Sequence, residues 1–309
     1  MKEPACEIAT VDLCIATYKR PAALSALLCE LERQDLEGMT LRVIVVDNDR
    51  YRSAEKAACA FYRSERFDFL YDVEPEQNIA LARNRGLSHA NANFVAFIDD
   101  DELPSRTWLR SLLSCMQKYR CDVAFGPVFK LLPGHAPRWA DKCFETARRK
   151  TGTHIAFGGA GNVMMAAHVL KGGQMHFNPS FGLTGGEDTD FFYRQFLAGW
   201  TLLWCDEALV TEPVPEARLT LRWVWLRGFR SGQIFNRVFV SRYTVAHKCL
   251  WFGIKVAQVP AGLVAAAFLR VFSYSSCIAM TVRVAAASGQ LSRCFQGRDF
   301  EEYSDSQYR

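Results

Sequence analysis

Along the first two-thirds of the chain, short runs of apolar and β-branched residues alternate with stretches in which apolar positions recur every three or four residues. The first pattern marks a strand buried in a sheet, the second a helix with one buried face. The runs predict strands over residues 8–16, 41–47, 67–71, 94–99 and 123–128, and helices over 22–34, 53–64, 79–90 and 106–118. In the first helix Leu24, Leu27, Leu28 and Leu31 share a face. Pro21 suits its first turn, where a missing N–H costs no hydrogen bond. Alternation of this kind predicts an α/β fold with a parallel sheet. Residues 132–161, with two Pro and five Gly, read as irregular loops, and a short helix is expected from Glu187 to about Gly199.

After Pro215 the character changes. From Ala217 to Arg298 there are 12 Lys or Arg and no Asp or Glu, whereas residues 1–216 hold 24 basic and 29 acidic residues. With a net −3 from residues 299–309, the whole chain of 309 residues carries only +4, an average that conceals a basic, apolar third. Three regions are expected: 1–215, a basic apolar helical region at 216–298, and an acidic polar tail at 299–309. Within the second, residues 256–269 and 271–282 lack charge, but Pro260, Arg270 and the run SYSS interrupt them. Neither piece reaches the roughly 20 residues of a spanning helix, so a helix lying on an anionic membrane surface is expected. Packing of these helices on the rest of the chain is the alternative.

In an open parallel sheet, ligands bind beyond the carboxyl ends of the strands. Polar clusters stand at three such ends: Thr17-Tyr18-Lys19-Arg20, Asp47-Asn48-Asp49, and Asp99-Asp100-Asp101-Glu102. Four successive acids suit a bound cation, and oxygen ligands suit Mg²⁺ or Mn²⁺. The same residues also fit an acidic turn capped by Asp or Ser105. A second acidic element, Gly185-Gly186-Glu187-Asp188, fits either a helix cap or a carboxylate base beside a glycine loop. No phosphate-binding G-x-x-x-x-G-K-[ST], dinucleotide fingerprint, G-x-S-x-G elbow or H-x-x-x-H pair occurs. The 11 cysteines form no C-x-x-C pair and several sit in apolar runs, which fits a reducing compartment. The N-terminal residues lack the pattern of a signal peptide.

The ordered set CIATYKRP, VVDND, NIALARNRGL, FIDDDE, GGAGNVMM and GGEDTDFFYR, from about Val11 to about Trp204, resembles family 2 glycosyltransferases of the GT-A fold. The closest likeness is to bacterial exopolysaccharide enzymes of the succinoglycan glucosyltransferase type. The resemblance implies a Rossmann-like nucleotide-binding sheet with flanking helices. It also implies a nucleotide site lined by Thr17, Tyr18, Arg20, Asp47, Arg83, Asp99 and Asp100, with Asp47 accepting a hydrogen bond from a base such as uracil. Asp99 and Asp101 match the family's DxD pair, with Asp101 binding the metal. Asp188 matches the catalytic base and Glu187 orients acceptor or base. Gly158, Gly159, Asn162 and Arg227 are expected at the donor and acceptor pocket. The reaction implied is an inverting, metal-dependent transfer from a nucleotide-sugar, UDP-linked, to a polyprenyl-diphosphate-linked glycan. Its place is the cytoplasmic face of the bacterial inner membrane. The Q-x-x-R-W element of processive synthases is absent, which points to transfer of a single sugar. The rival readings are a sugar nucleotidyltransferase, for which TYKRP is the wrong loop, and an inactive nucleotide-binding scaffold, against which the intact acidic motifs speak. Nucleic acid is excluded as a partner, because the basic third lacks an interleaved polar and aromatic platform.

Overall fold

The computed structural model describes residues 8–171, 176–295 and 299–301. The chain forms two compact units: Met1–Phe129, Thr146–Leu183 and Glu187–Glu212 make the first, and Lys130–Glu145, Thr184–Gly186 and Pro213–Arg309 the second. The division is not a single cut.

The first unit is built on a sheet of β1 (Ala9–Thr17), β2 (Met39–Asp47), β3 (Asp68–Val73), β4 (Phe94–Ile98), β6 (Val123–Phe125), β8 (Asn162–Ala166) and β9 (Leu202–Trp204), in the order β3-β2-β1-β4-β8-β6-β9. The strands are parallel except β8, which runs antiparallel to both β4 and β6. The sheet is thus mixed, where the sequence pattern predicts a parallel one. An apolar run buried on both faces reads the same in either direction.

Period two divides the core. Leu13, Ile15, Val43 and Val45 pack on one face of the sheet, and Cys14, Ile44 and Val46 on the other. Helices cover both faces: α1 (Pro21–Leu31), α2 (Glu55–Cys59), α3 (Ile79–His89), α4 (Trp108–Tyr119) and α6 (Glu187–Leu197). Pro21 opens α1, and its four leucines are fully buried. The run predicted over 123–128 breaks into β6 and β7 (Val128–Leu131), because Pro127 between them has no N–H for a ladder. The short β5 (Leu103–Pro104) pairs antiparallel with β10 (Val210–Pro213).

The second unit holds α5 (Ala140–Cys143), α7 (Leu221–Val238), α8 (Val245–Phe272) and α9 (Tyr274–Ser292). Trp139, Ala140, Val224 and Ile278 form its core. The helix α9 packs on both α7 and α8, and a Cβ added at Gly232 or Gly289 would run into the facing backbone carbonyl of Ala286 or Phe229. Contrary to the sequence expectation, Pro260 and Arg270 do not interrupt the apolar run. α8 continues for 28 residues, with Pro260 on its exposed side, and stops at Ser273, which caps α9 through Ser276 N. Beyond Glu301 the acidic tail lies outside the described residues.

Candidate active site

The three polar clusters stand at the carboxyl ends of neighbouring strands, as the sheet order requires. β4 ends at Ile98, and the next three residues diverge. Asp100 turns inward, its side chain 6% exposed, and accepts from Thr17 Oγ1 at 2.7 Å. Asp99 and Asp101 stay open, at 41% and 21%. Arg20 donates to Asp100 at 3.2 Å and to Asp101 at 2.8 Å. Burial pushes the Asp100 carboxyl up to about 7, with Arg20 opposing and Asp101 adding to the rise. Tyr18 follows half-buried, with Lys19 over its ring at 4.7 Å.

Arg83 joins the two acidic motifs, DDD and GGED, standing 16 residues before Asp99 and 104 before Glu187. It is 5% exposed on α3, donates through one nitrogen to Asp99 Oδ1 at 2.7 Å, and through another to Glu187 Oε1. Asn78 caps α3 by accepting from Ala80 N and Leu81 N, and it is in turn held by Asn48 at the end of β2, whose Oδ1 accepts from Asn78 N at 2.8 Å. These two asparagines, given no role from the sequence, fix the helix that carries Arg83. The signal was present: an Asn directly before the helical run IALAR.

Glu187 opens α6. Gly185 and Gly186 before it have φ of 75° and 90°, a conformation that favours glycine, so the chain can turn sharply into the helix. Phe191 and Phe192 are fully buried and anchor α6: Phe191 stacks on Phe177 at 4.3 Å, and Phe177 meets Phe97 of β4 at 5.5 Å. Glu187 is 3% exposed and its Oε2 is buried with no hydrogen-bond partner. Burial raises its carboxyl to about 7, with Arg83 opposing and Asp188 reinforcing. Asp188 is half-buried. Its Oδ1 accepts from Thr189 N at 2.6 Å, and a Cβ added at exposed Gly159 would stand 3.4 Å from its Oδ2. Glycine therefore leaves space beside that oxygen.

Other expected residues have partners of a different kind, close to each of them in the fold. Asp47 is fully buried and spends both oxygens on its own surroundings, Asp49 N, Ala54 N and Tyr71 Oη. Burial holds it above the ordinary carboxylate range. In this arrangement it shapes the loop after β2. Asn162 is 2% exposed and fully used: it accepts from Trp108 Nε1 at 2.7 Å and donates to the carbonyls of Pro127 and Ala208. It ties the start of α4 to the backbone at Pro127 and Ala208. Gly158 lies against the Phe125 ring. Arg227 belongs to the second unit, over the Trp223 ring at 5.3 Å. Glu102, unremarked in the sequence beyond its place in the acidic run, is 3% exposed and accepts from Asp99 N at 3.0 Å; Gly161 leaves the room for its carboxylate.

Among the described residues no three His, Cys, Asp or Glu side chains converge as a metal cluster. Asp99 and Asp101 are the open carboxylates here, oxygen donors of the kind Mg²⁺ or Mn²⁺ takes together with substrate phosphates, and each is paired with an arginine, Asp99 with Arg83 and Asp101 with Arg20.

The pattern described as glycosyl transferase family 2 matches residues 12–174, more than half of the chain and the whole of the DDD site. The chain belongs to glycosyltransferase family 2. It is also 33% identical over 298 residues to the succinoglycan biosynthesis protein ExoM of Rhizobium meliloti (strain 1021), with 95% of each chain covered. A pre-mycofactocin glycosyltransferase of Mycobacterium tuberculosis is 28% identical over 203 residues, 62% of this chain and 41% of that one. Among solved structures, S. aureus TarS 1-349 in complex with UDP-GlcNAc superposes with a TM-score of 0.55 at 13% identity, covering 93% of this chain and 92% of that one. A longer TarS structure gives 0.52, and the chain spans 55% of its length. The enzyme is a glycosyltransferase with the GT-A fold.

Proposed function

We propose that this family 2 glycosyltransferase transfers one sugar from a UDP-sugar to a polyprenyl-diphosphate-linked glycan in bacterial exopolysaccharide synthesis, with inversion. The observation that carries the reading is the link through Arg83: one guanidinium, forked between Asp99 and Glu187, ties the expected diphosphate site to the residue beside Asp188. Arg83 is the permanent cation suited to a diphosphate. Thr17, Tyr18 and Arg20 at the end of β1 supply the rest of the nucleotide wall, and Asp100 holds Thr17 and Arg20 in place. Asp99 and Asp101 would hold a divalent cation. When bound, such an ion neutralises charge growing on the leaving diphosphate.

In the transfer, the acceptor oxygen bonds to the sugar's C1 while the C1–phosphate bond breaks, and the nucleoside diphosphate leaves with the electron pair. Attack from the opposite face inverts C1. Asp188 accepts the hydroxyl proton, at the oxygen that Gly159 leaves open. For the donor, the UDP and UDP-GlcNAc complexes of TarS support the class on a shared fold. For the pathway, support comes from the name of the 33% identical relative. For a membrane-bound acceptor, support comes from α8, an exposed helix long and apolar enough to cross a membrane.

Asp188→Asn should lower turnover of a UDP-sugar by about 10²–10⁴-fold and leave UDP affinity unchanged. Wild-type turnover in that variant would overturn the assignment. Asp101→Ala should remove the gain in UDP affinity that Mn²⁺ gives the native protein, measured by calorimetry. A native affinity indifferent to Mn²⁺ would remove the metal from the reading.

A further inference from the structure

We infer that α8 docks on an anionic lipid leaflet lying in the plane of its surface, with its outward apolar side sunk among the acyl chains and neither end crossing. The inference deepens the membrane-bound acceptor reading given above. Its test reads binding alone, so either can fail without the other.

The inner side of α8 is a stripe of half-buried or buried positions, Trp251, Lys255, Val259, Gly262, Ala266 and Leu269, with Trp251 stacked on Phe235 of α7 and Gly262 against Val284 of α9. Among the described residues, the other side is open. Leu250, Ile254, Val264, Phe268, Val271 and Phe272 are exposed, Val271 by 79% and Val264 by 71%. A continuous apolar face of this kind marks a site for a membrane or a partner. Charge decides between occupants. The helix carries Lys248 near its start and Arg270 near its end, Arg270 lies over the Tyr274 ring at 4.5 Å, and no acid occurs between Ala217 and Arg298. An anionic leaflet complements that surface, and aromatic and basic side chains suit its headgroup layer. A second copy would bring the same sign of charge to the same place.

The neighbours of α8 decide its orientation. At 28 residues it is about 42 Å long, enough to span. Yet a Cβ at Gly262 would meet Val284 of α9 at 2.6 Å, and one at Gly228 of α7 would meet the Val282 carbonyl at 2.8 Å. The middle of α8 is therefore level with the turn of α7 around Gly228. Arg227 and Arg230 sit on that turn, the first over Trp223 and the second buried with a hydrogen bond to the Thr184 carbonyl at 3.2 Å. A spanning α8 would carry two arginines of a helix in its own layer to the depth of the hydrocarbon, where charged side chains are expensive. Lying flat, α8 sinks its outward side and leaves α7 above the lipid.

The full chain should sediment with vesicles of phosphatidylcholine and phosphatidylglycerol at 3:1, and at least tenfold less with pure phosphatidylcholine. The triple variant Val264→Asp, Phe268→Asp, Val271→Asp should fold with an unchanged circular dichroism spectrum, since all three are exposed, and lose binding to the anionic vesicles by at least tenfold. Orientation is read with Leu250→Trp and Val264→Trp, each corrected for the native tryptophans. Lipids brominated near the headgroup should quench both more than lipids brominated near the chain end. Strongest quenching of Val264→Trp by the deep bromines would overturn the flat orientation. Absence of vesicle binding, or a lipid-free dimer by light scattering that the triple variant dissolves, would overturn the lipid occupant.

Discussion

Arg83 is a cation buried to 5% exposure between one open carboxylate and one closed one, and its removal strands Glu187. Breaking a buried pair from one side leaves an uncompensated charge, so Arg83→Met should cost about 3–5 kcal/mol at pH 8, read from urea unfolding. A loss below 1 kcal/mol would mean the pair is dispensable to the fold. Glu187 gives a pH signature of its own. Its folded value, about 7, lies above the ordinary 4.5, chiefly through burial. Its contribution to stability is therefore full below about 4.5 and lost as pH rises through about 7. Glu187→Gln imitates the protonated form and should gain on the native protein by on the order of 1–3 kcal/mol between pH 5 and pH 8. A difference independent of pH would show that Glu187 does not titrate in this window. Residue types announced these groups, but not their directions. The motif VVDND places Asp47 at a strand end without revealing that Ala54, Asp49 and Tyr71 consume its oxygens, and GGAGN says nothing of Trp108 reaching Asn162 from 54 residues away.

At the scale of elements, β1 to β4, β6 and the five helices of the first unit were readable because each carries its burial in its own period, whereas β8 and β9 fall where no strand was expected. Leu24, Leu27, Leu28 and Leu31 show it for α1, as do the alternating residues of β2. Strand direction was not readable, since β8 is apolar on both sides whichever way it runs. The continuity of α8 was misread for a related reason. Proline in a helix costs about 3 kcal/mol, but the neighbouring turns and the packing on α9 carry the helix past it. Glycines in these helices play opposite parts. Gly232 and Gly289 face backbone carbonyls across the α7–α9 contact, whereas nothing lies within 4 Å of a Cβ at Gly253 in α8. Gly232→Ala should therefore destabilise by about 1–3 kcal/mol through forced separation of the helices. Gly253→Ala should stabilise by about 0.5–1 kcal/mol through helix propensity. Thermal unfolding of the two variants side by side checks both signs.

At the scale of the molecule, the change of composition after Pro215 is visible in the sequence, but the membership of the second unit is not. Residues 130–145 and 184–186 join it from inside the first two-thirds of the chain, and Trp139 and Ala140 supply its core. No periodicity marks them, because they are short and their partners lie some 80 to 140 residues later. A chain ending at Pro215 should consequently leave Trp139, Ala140 and Phe144 without cover, bind more of a hydrophobic dye than the full chain, and yield less soluble protein.

That interleaving also limits how such an enzyme can be recombined. The C-terminal helices look like a cassette that could be exchanged between relatives at a single junction, but part of their foundation is encoded upstream of the junction. A chimera joined only at residue 213 would set foreign helices on a native Trp139 and a native Thr184, and Thr184 is gripped by Arg230 and Arg237 of the helix being replaced. Exchange among relatives becomes workable only when three separate stretches travel together, so the inheritance of this region is expected to follow whole genes rather than fragments.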